Sequence, residues 1–457
     1  MKPANQAGLG VQLGWGAGSF ATGTLYNGLA LFGLFFMTSI IGIEPVVAGL
    51  LLFVTKIYDA VTDPLMGVIS DRTRHRWGAR RPYLLLGSLL LGPSFAALFA
   101  IGPLESTLAT LALVGLVLLL HASAYTVFSV PYMAMPPVLA RDYDARTRLM
   151  SFRVLFLMGG ILTSSYLGPK IVTWAGEGAG GYFWMGITFA GVAMAAGLVA
   201  FLTTAGHDEP SAPAEAGQRK LLAQLLAQFR TIAGNTPFLQ LMAVKLCKLV
   251  ALASVLASTP YLFRYVLNMS TGQIGNYLLV FSICGVVSIP FWRALMGRFG
   301  KRDIFGVICI WYAVAVSSWF FWSPQEAAYL MYVLALFIGF ASTGTLLAGL
   351  ALLPDTMEYG SLTSGGSNDG VYSGVFTTIE KLSGALGPLI VGALLSGFGL
   401  IKGQVAAADQ PESALFAVKV AASLVPAALS LLAIPILLRY RLTRDQLEQL
   451  RAAANPA

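Results

Sequence analysis

The sequence of 457 residues is poor in charge, cysteine and histidine. Lys, Arg, Asp and Glu make up only 11% of the chain, less than half the share of an ordinary soluble domain. So few charges cannot cover a soluble surface, which excludes a soluble multidomain enzyme. Three cysteines exclude a disulfide scaffold, and His75, His121 and His207 are scattered without metal-binding spacing or a nucleophile motif. We therefore expect no catalytic residue and no resident metal or cofactor.

Apolar residues, in contrast, make up 56% of the chain, and the mean hydropathy is +0.73. A helix needs roughly 20 apolar residues to cross the hydrocarbon core of a bilayer. Twelve runs are long enough, and they are too long and too uniformly apolar for β-barrel strands. The pattern predicts an all-α membrane protein with twelve transmembrane helices, over 13–38, 45–69, 82–102, 107–133, 149–168, 182–204, 237–262, 274–296, 303–322, 327–353, 371–399 and 413–438.

The Lys and Arg residues between these runs are distributed unequally across the predicted membrane. Nineteen fall on the side of Lys2, the even-numbered loops and the tail, and three fall on the other side, namely Lys170, Arg264 and Lys402. The positive-inside rule then predicts a multi-pass protein of the cell membrane, the inner membrane in a bacterium, with both termini cytoplasmic. Because the net charge of +8 follows from this topology, it does not indicate nucleic-acid binding. We expect the lipid bilayer as the surrounding partner and a monomeric protein.

A polar stretch over 205–236 divides the twelve runs into two sets of six. We predict a bundle over 1–204, a cytoplasmic linker with an amphipathic helix at 218–232, and a second bundle with the tail over 237–457. A short basic turn follows the second span of each half, at 67–76 and 297–302, which indicates two repeated bundles. In the first turn we expect a gate latch formed by Gly67 at a close helix contact and by Asp71, Arg72 and Arg76.

Ionisable residues inside a span are costly and mark a transport pathway by default. Lys56, Asp59 and Asp63 are spaced i, i+3 and i+7, so one ammonium and two carboxylates share a helix face. Neighbouring carboxylates repel each other, and Na⁺ or a proton would relieve that repulsion, with Thr62 adding an oxygen. The alternative is a purely structural pair of acids held by Lys56 and by Arg partners.

Other spans add further polar groups. Arg153 stands alone among apolar residues of the fifth span, where we expect it to face an aqueous cavity or a carboxylate. In the eleventh span Ser373, Thr377 and Lys381 share one face, while Glu380 points about 100° away from Lys381 and is equally open to pairing or function. The fourth span carries Tyr125, Thr126 and Ser129. Lys245 lies closer to a predicted helix end, and we expect it to snorkel.

The string from Lys56 to Gly67, followed by 76–82, resembles the second-span signature of the glycoside–pentoside–hexuronide:cation symporters. This family of the major facilitator superfamily includes melibiose permease and the lysolipid symporter. The first basic turn also resembles the loop signature of that superfamily, G-x-x-x-D-R-x-x-x-R. Pro131-Tyr132, the segment 355–360 and the segment 372–381 extend the resemblance over most of the chain. It implies the major facilitator fold, transport by alternating access and no cofactor beyond a coupling ion, Na⁺ or H⁺.

By position, the resemblance assigns the coupling-cation carboxylates to Asp59 and Asp63, with Thr126 as a supporting oxygen. Thr62 stands where melibiose permease has Asn. Arg153 and Lys381 match cations of the family that line the cavity, and Thr377 lies one turn before Lys381. The expected cation-binding residues are Asp59, Asp63, Thr62 and Thr126, and the expected substrate-binding residues are Lys56, Tyr125, Ser129, Met133, Arg153, Thr377 and Lys381.

The sugar site departs from the family pattern. The two acids that bind galactoside align with Gly23 and Ser129, and the stacking Trp residues align with Met133 and about Leu346. A site that keeps Arg153 and Lys381 without those acids favours an anionic group. The sequence is compatible with a hexuronide or sulfonated sugar and with an anionic amphipath such as a lysolipid. It also leaves open a proton-coupled exporter of drugs or lipids, whereas a non-transporting receptor would not need these buried charges.

Overall fold

The computed structural model describes residues 8–140, 143–207, 232, 234–322, 328–364, 369–442 and 446–450. Within these ranges twelve helices are long and apolar enough to cross a membrane. We number them α1 to α12 in chain order. They span Leu9–Ile40, Pro45–Arg72, Arg81–Ala100, Thr107–Leu139, Ala145–Trp174, Ala179–Thr203, Thr236–Val266, Thr271–Phe299, Lys301–Phe321, Tyr329–Thr363, Gly374–Gly397 and Glu412–Arg439. The predicted all-α architecture and the number of spans are confirmed.

The helix ends differ from the predicted spans where polar residues continue a helix beyond the apolar run. Helix α10 runs ten residues past its predicted end at residue 353, through Pro354 and on to Thr363. A proline inside a membrane helix is tolerated because neighbouring groups satisfy the freed carbonyl. The segment 355–360, expected after the tenth span, therefore lies inside α10. The predicted amphipathic helix falls in the linker, of which residues 208–231 lie outside the described residues.

The chain divides into two compact units that do not follow the chain order. Unit 1 comprises Met1–Pro213, Thr259–Leu279 and Pro388–Leu415, and unit 2 comprises Ala214–Ser258, Val280–Gly387 and Phe416–Ala457. Unit 1 thus holds α1 to α6 together with the adjoining end segments of α7 and α8 and of α11 and α12. The division at the linker into 1–204 and 237–457 remains a prediction from the sequence.

In unit 1, small residues bring α1 against α5. A Cβ on Gly160 would overlap the Phe20 carbonyl oxygen, and one on Gly23 would lie 2.6 Å from the Leu157 carbonyl oxygen. Small residues at such contacts let helix backbones approach in a membrane. Asn27 on α1 adds polar contacts, because its Nδ2 donates to Ser164 Oγ at 2.8 Å and to Ser165 Oγ at 2.9 Å. The glycine at position 23 is therefore required for the close contact between α1 and α5.

Helix α4 is joined to α1 by Tyr132, the tyrosine of the Pro131-Tyr132 motif. The Tyr132 ring stacks on Trp15 with 4.6 Å between centroids. Its hydroxyl donates to the Trp15 carbonyl at 2.8 Å and lies 2.7 Å from Ser19 Oγ. Since Tyr132 is 1% exposed, this motif residue stabilises the helix contact in the structure.

Each unit contains an arginine that caps the last helix of its half. Arg81, the first residue of α3, donates from Nη2 to the Phe201 carbonyl at the end of α6, at 2.9 Å. In unit 2, Arg302 at the start of α9 donates to the carbonyls of Leu437 and Leu438 at 3.0 and 3.1 Å. The last carbonyls of a helix lack intrahelical partners, so a guanidinium satisfies them well. In unit 2 the capping arginine is the last residue of the basic turn 297–302, and in unit 1 it lies five residues after the turn 67–76.

Candidate functional site

Two carboxylates lie on one face of α2 inside unit 1. Asp59 is 3% exposed, and its Oδ2 accepts a hydrogen bond from Lys56 Nζ at 2.8 Å. Asp63, one turn later, accepts through Oδ1 from the Thr126 hydroxyl of α4 at 2.8 Å. The opposite face carries the exposed apolar side chains Ile57 and Val61, as expected for a helix that faces lipid. The predicted α2 residues and Thr126 thus come together.

The second oxygen of Asp59 differs from the first. Asp59 Oδ1 is buried and has no hydrogen-bond partner among the described residues. A buried carboxylate oxygen without a donor is unfavourable, so this oxygen is suited to receive a cation or a proton. The residues that the structure describes contain no group of three or more His, Cys, Asp or Glu that could hold a metal ion. Two carboxylates with hydroxyl oxygens are instead a suitable donor set for a hard monovalent cation.

Thr62 is half-buried on the same helix and turns its hydroxyl towards the backbone. Its Oγ1 donates to the Tyr58 carbonyl at 3.0 Å, which leaves the oxygen lone pairs available as acceptors. Tyr58 in turn shares a 2.8 Å hydrogen bond with Ser123 of α4. The structure places Thr62 on α2, next to Asp63 in the sequence.

Arg153 approaches this group from α5. It is half-buried, and its buried Nε has no hydrogen-bond partner among the described residues. Tyr125 of α4 interacts electrostatically with both Asp59 and Arg153 and shares a hydrogen bond with Thr22. On the same helix Ser129 is half-buried and Met133 is 42% exposed.

Sequence reasoning missed Tyr26 on α1. Its ring lies 5.8 Å from Lys56 Nζ, measured to the ring centroid, and it is 41% exposed. Tyr26 is the one exposed residue of α1 between residues 14 and 40, all of which the structure describes. No spacing in the sequence marks this position, because only the packing of neighbouring helices leaves it open. His121, in contrast, is buried and bonded to Ser94 at 3.0 Å, as expected for a packed histidine.

The predicted residues of the eleventh span lie in unit 2. Thr377 is exposed and donates to the Gly374 carbonyl at 2.9 Å, and Lys381 is half-buried. Glu380 forms a 3.0 Å ion pair with Lys245 of α7, which also donates to the Phe376 carbonyl. The expectation that Lys245 snorkels is wrong, because it is 8% exposed and its ammonium has a carboxylate and a carbonyl as partners. The side chain of Ser373 lies outside the described residues.

The segment 355–360 of α10 is held in unit 2 by polar contacts. Asp355 accepts from Lys301 Nζ at 2.6 Å. Asn235 caps α7 and donates to the Thr356 carbonyl at 2.8 Å and to the Tyr372 hydroxyl at 3.0 Å. A Cβ on Gly360 would overlap that hydroxyl, so glycine is needed there for close approach. These contacts join α10 to the starts of α7 and α9 and to Tyr372, which lies two residues before α11.

The predicted latch residues lie at the end of α2, which includes Gly67, Asp71 and Arg72, and in the turn that follows, which includes Arg76. Asp71 Oδ1 pairs with Arg80 Nη2 at 3.1 Å, whereas Arg72 and Arg76 are exposed and Arg76 lies over the Trp77 ring. The expectation that Gly67 lies at a close helix contact is wrong, because a Cβ there would lie 3.8 Å from the Val130 side chain, an ordinary van der Waals distance. A gating role for Gly67, Asp71, Arg72 and Arg76 remains a prediction.

Comparisons with known proteins cover nearly the whole chain. A family model described as "MFS/sugar transport protein" matches residues 14–444. The chain is 27% identical to the putative glycoside/cation symporter YagG of Escherichia coli K12, over 96% of this chain and 93% of that protein. It is also 27% identical to a putative 2,3-dihydroxypropane-1-sulfonate exporter of the same organism, over 87% and 85%. The crystal structure of the nucleoside transporter NupG superposes with a TM-score of 0.64 at 13% identity, covering 94% of this chain and 100% of that one, a likeness of fold alone.

Proposed function

Because the chain belongs to the glycoside–pentoside–hexuronide:cation symporter family of the major facilitator superfamily, we propose that it transports an organic anion in symport with one monovalent cation, Na⁺ or H⁺. The chain is a secondary transporter of small molecules and a multi-pass membrane protein, not an enzyme.

The observation that carries the proposal is the charge balance around Asp59 and Asp63. Two carboxylates, Asp59 and Asp63, lie near one ammonium, Lys56, and the guanidinium of Arg153 interacts with the same Tyr125 as Asp59. These four groups are neutral in sum, while Asp59 Oδ1 still lacks a donor among the described residues. Binding Na⁺ or a proton there leaves one net positive charge. An anion is then the favoured second ligand.

This charge balance couples the binding of the cation to the binding of the anion. If the cation raises the affinity for the anion, the anion raises the affinity for the cation by the same factor. A coupling free energy of about 1–3 kcal/mol is usual for linked sites. We propose that Asp59, Asp63, Thr62 and Thr126 bind the cation. We propose that Arg153 binds the negative group of the substrate and that Lys56, Tyr125, Ser129 and Met133 of unit 1 also bind the substrate. The sequence makes Thr377 and Lys381, which belong to unit 2, further candidates.

The experiment compares an acidic ligand with its neutral analogue. Methyl β-glucuronide and methyl β-glucoside are titrated against the purified full-length protein in Na⁺ and in choline buffer, with lysophosphatidylglycerol as the amphipathic anion. We expect the acidic ligands to bind more tightly, the more so with the coupling ion, and Arg153→Ala and Lys381→Ala to remove that preference. Lys402→Ala is the matched control, because it also removes one positive charge but at an exposed position, and it should keep the preference for acidic ligands. Equal binding of the neutral glycoside, weakened alike by both variants, would show that the substrate is not recognised by its charge.

One relative favours a second candidate, since it is named a putative sulfonate exporter. Export of an anion in exchange for protons would use the same carboxylates with the opposite direction of cation flow. Uptake into proteoliposomes under an inward and then an outward proton gradient separates the two, because symport and exchange respond to the gradient in opposite ways.

A further inference from the structure

A cluster of polar groups in unit 1 lies on the face that carries few basic residues, which we assign to the outside. It is centred on Glu177, in the connection between α5 and α6. One carboxylate oxygen accepts from the Thr173 hydroxyl at 3.0 Å and from the Thr271 backbone N–H at 2.9 Å. The other accepts from Arg264 Nη1 at 3.0 Å. No part of the cation and substrate group described above involves these residues.

The backbone holds Glu177 in a conformation that side chains rarely adopt. Its φ is +55°, directly after Gly176 at +102°, and its N–H donates to the Val172 carbonyl at 2.9 Å. A non-glycine residue in the left-handed region persists only where the surroundings fix it, and such outliers concentrate at functional sites. The left-handed backbone at Gly176 and Glu177, just after α5, therefore directs the Glu177 carboxylate towards the segment 264–271.

Two glycines at the start of α8 allow this helix to approach the end of α5 and the Glu177 carboxylate closely. A Cβ on Gly272 would lie 3.2 Å from Thr173 Oγ1, and one on Gly275 would lie 2.7 Å from the Tyr166 carbonyl, so glycines allow the approach. A cavity of about 250 Å³ lies beside the contact and is lined by Glu177, Arg264 and Ser39, among others. Ser39 is 3% exposed, so a side chain at this position is shielded from solvent in this conformation.

We propose that Arg264 and the N–H of Thr271 form an outer binding site for the anionic group of the substrate, which Glu177 occupies as an internal carboxylate in this conformation. A guanidinium with a helix N-terminal N–H is a recurrent donor set for carboxylate, sulfonate and phosphate groups. Both donors lie within one stretch of eight residues, so they stay together when Glu177 leaves. An external anion competes with Glu177 for the same donors and thereby releases the contact that joins the start of α8 to the connection between α5 and α6.

This inference rests on the proposed function for the charge of the substrate, and a labelling experiment tests it separately. Cys247, Cys284 and Cys309 are replaced by serine, and Ser39→Cys places a thiol in the cavity beside Glu177. The full-length protein is reconstituted, and the rate of reaction with a membrane-impermeant maleimide added outside is measured. Each variant is first checked for a monodisperse elution profile.

We expect Glu177→Gln to raise the labelling rate about fivefold, the effect of losing one partly exposed ion pair. Glu105→Gln, an exposed acid of another outer loop, should leave the rate unchanged. With Glu177 present, external methyl β-glucuronide should raise the rate and methyl β-glucoside should not. Arg264→Ala should abolish this response, and Arg264→Lys should retain part of it.

Two results would overturn the inference: equal rates in Glu177→Gln and Glu105→Gln, or a glucuronide response that persists in Arg264→Ala. The proposed function fails by a different measurement. If Asp63→Asn still accumulates substrate, the cation site is wrong, whatever the labelling shows. If Asp63→Asn loses accumulation while Glu177→Gln leaves the labelling rate unchanged, only the outer site is wrong.

Discussion

Replacing Asp63 with Asn should abolish cation-driven accumulation and leave the fold intact. The Asn side chain has nearly the same shape, and its oxygen can still accept the 2.8 Å hydrogen bond from Thr126. Only the negative charge is lost. At about 4 Å and an effective dielectric constant of about 20, one unit charge attracts a cation by ~4 kcal/mol. The affinity for the coupling ion should therefore fall by about a thousandfold.

The assay uses proteoliposomes in which substrate uptake is driven by a Na⁺ or a proton gradient. In Asp63→Asn the accumulation ratio should fall to that of gradient-free vesicles. Counterflow of labelled against unlabelled substrate, which needs no gradient, should persist and show that the protein is folded. Glu105→Gln removes one exposed acid elsewhere and should accumulate normally. Accumulation by Asp63→Asn at the unmodified protein's level would refute the assignment of the cation to α2.

Three further predictions concern gating and packing. Asp71→Asn should increase the labelling of a cysteine introduced at Ser151, because the pair with Arg80 at 3.1 Å is lost, and unchanged labelling would make the turn a topological signal only. Arg81→Gln should destabilise the protein by about 1–3 kcal/mol, seen as a lower melting temperature, since the Phe201 carbonyl loses a charged donor. Gly23→Asp should lower the melting temperature much more than Ser129→Asp, because a Cβ at position 23 would lie 2.6 Å from the Leu157 carbonyl oxygen, whereas position 129 already carries a side chain; equal shifts would contradict the packing argument.

The positions of the carboxylates were predictable from the sequence, but their partners were not. Helical spacing alone puts Asp59 and Asp63 on one face of α2, because side chains three, four or seven residues apart share a face. That Thr126 donates to Asp63, and that one oxygen of Asp59 lacks a partner among the described residues, depends on where α4 lies against α2. Tyr26 escaped prediction for the same reason.

The sequence by itself determined the class of the protein, the twelve helices and the polar face of α2. These follow from the cost of charge in hydrocarbon and from the length of helix that spans it, both of which act locally along the chain. Only the tertiary structure decided that Lys245 pairs with Glu380, that Gly67 is not a close contact, and that Glu177 bonds the start of α8. Such contacts join residues 94 to 135 positions apart, and their geometry is set by how whole helices pack rather than by any pattern along one of them.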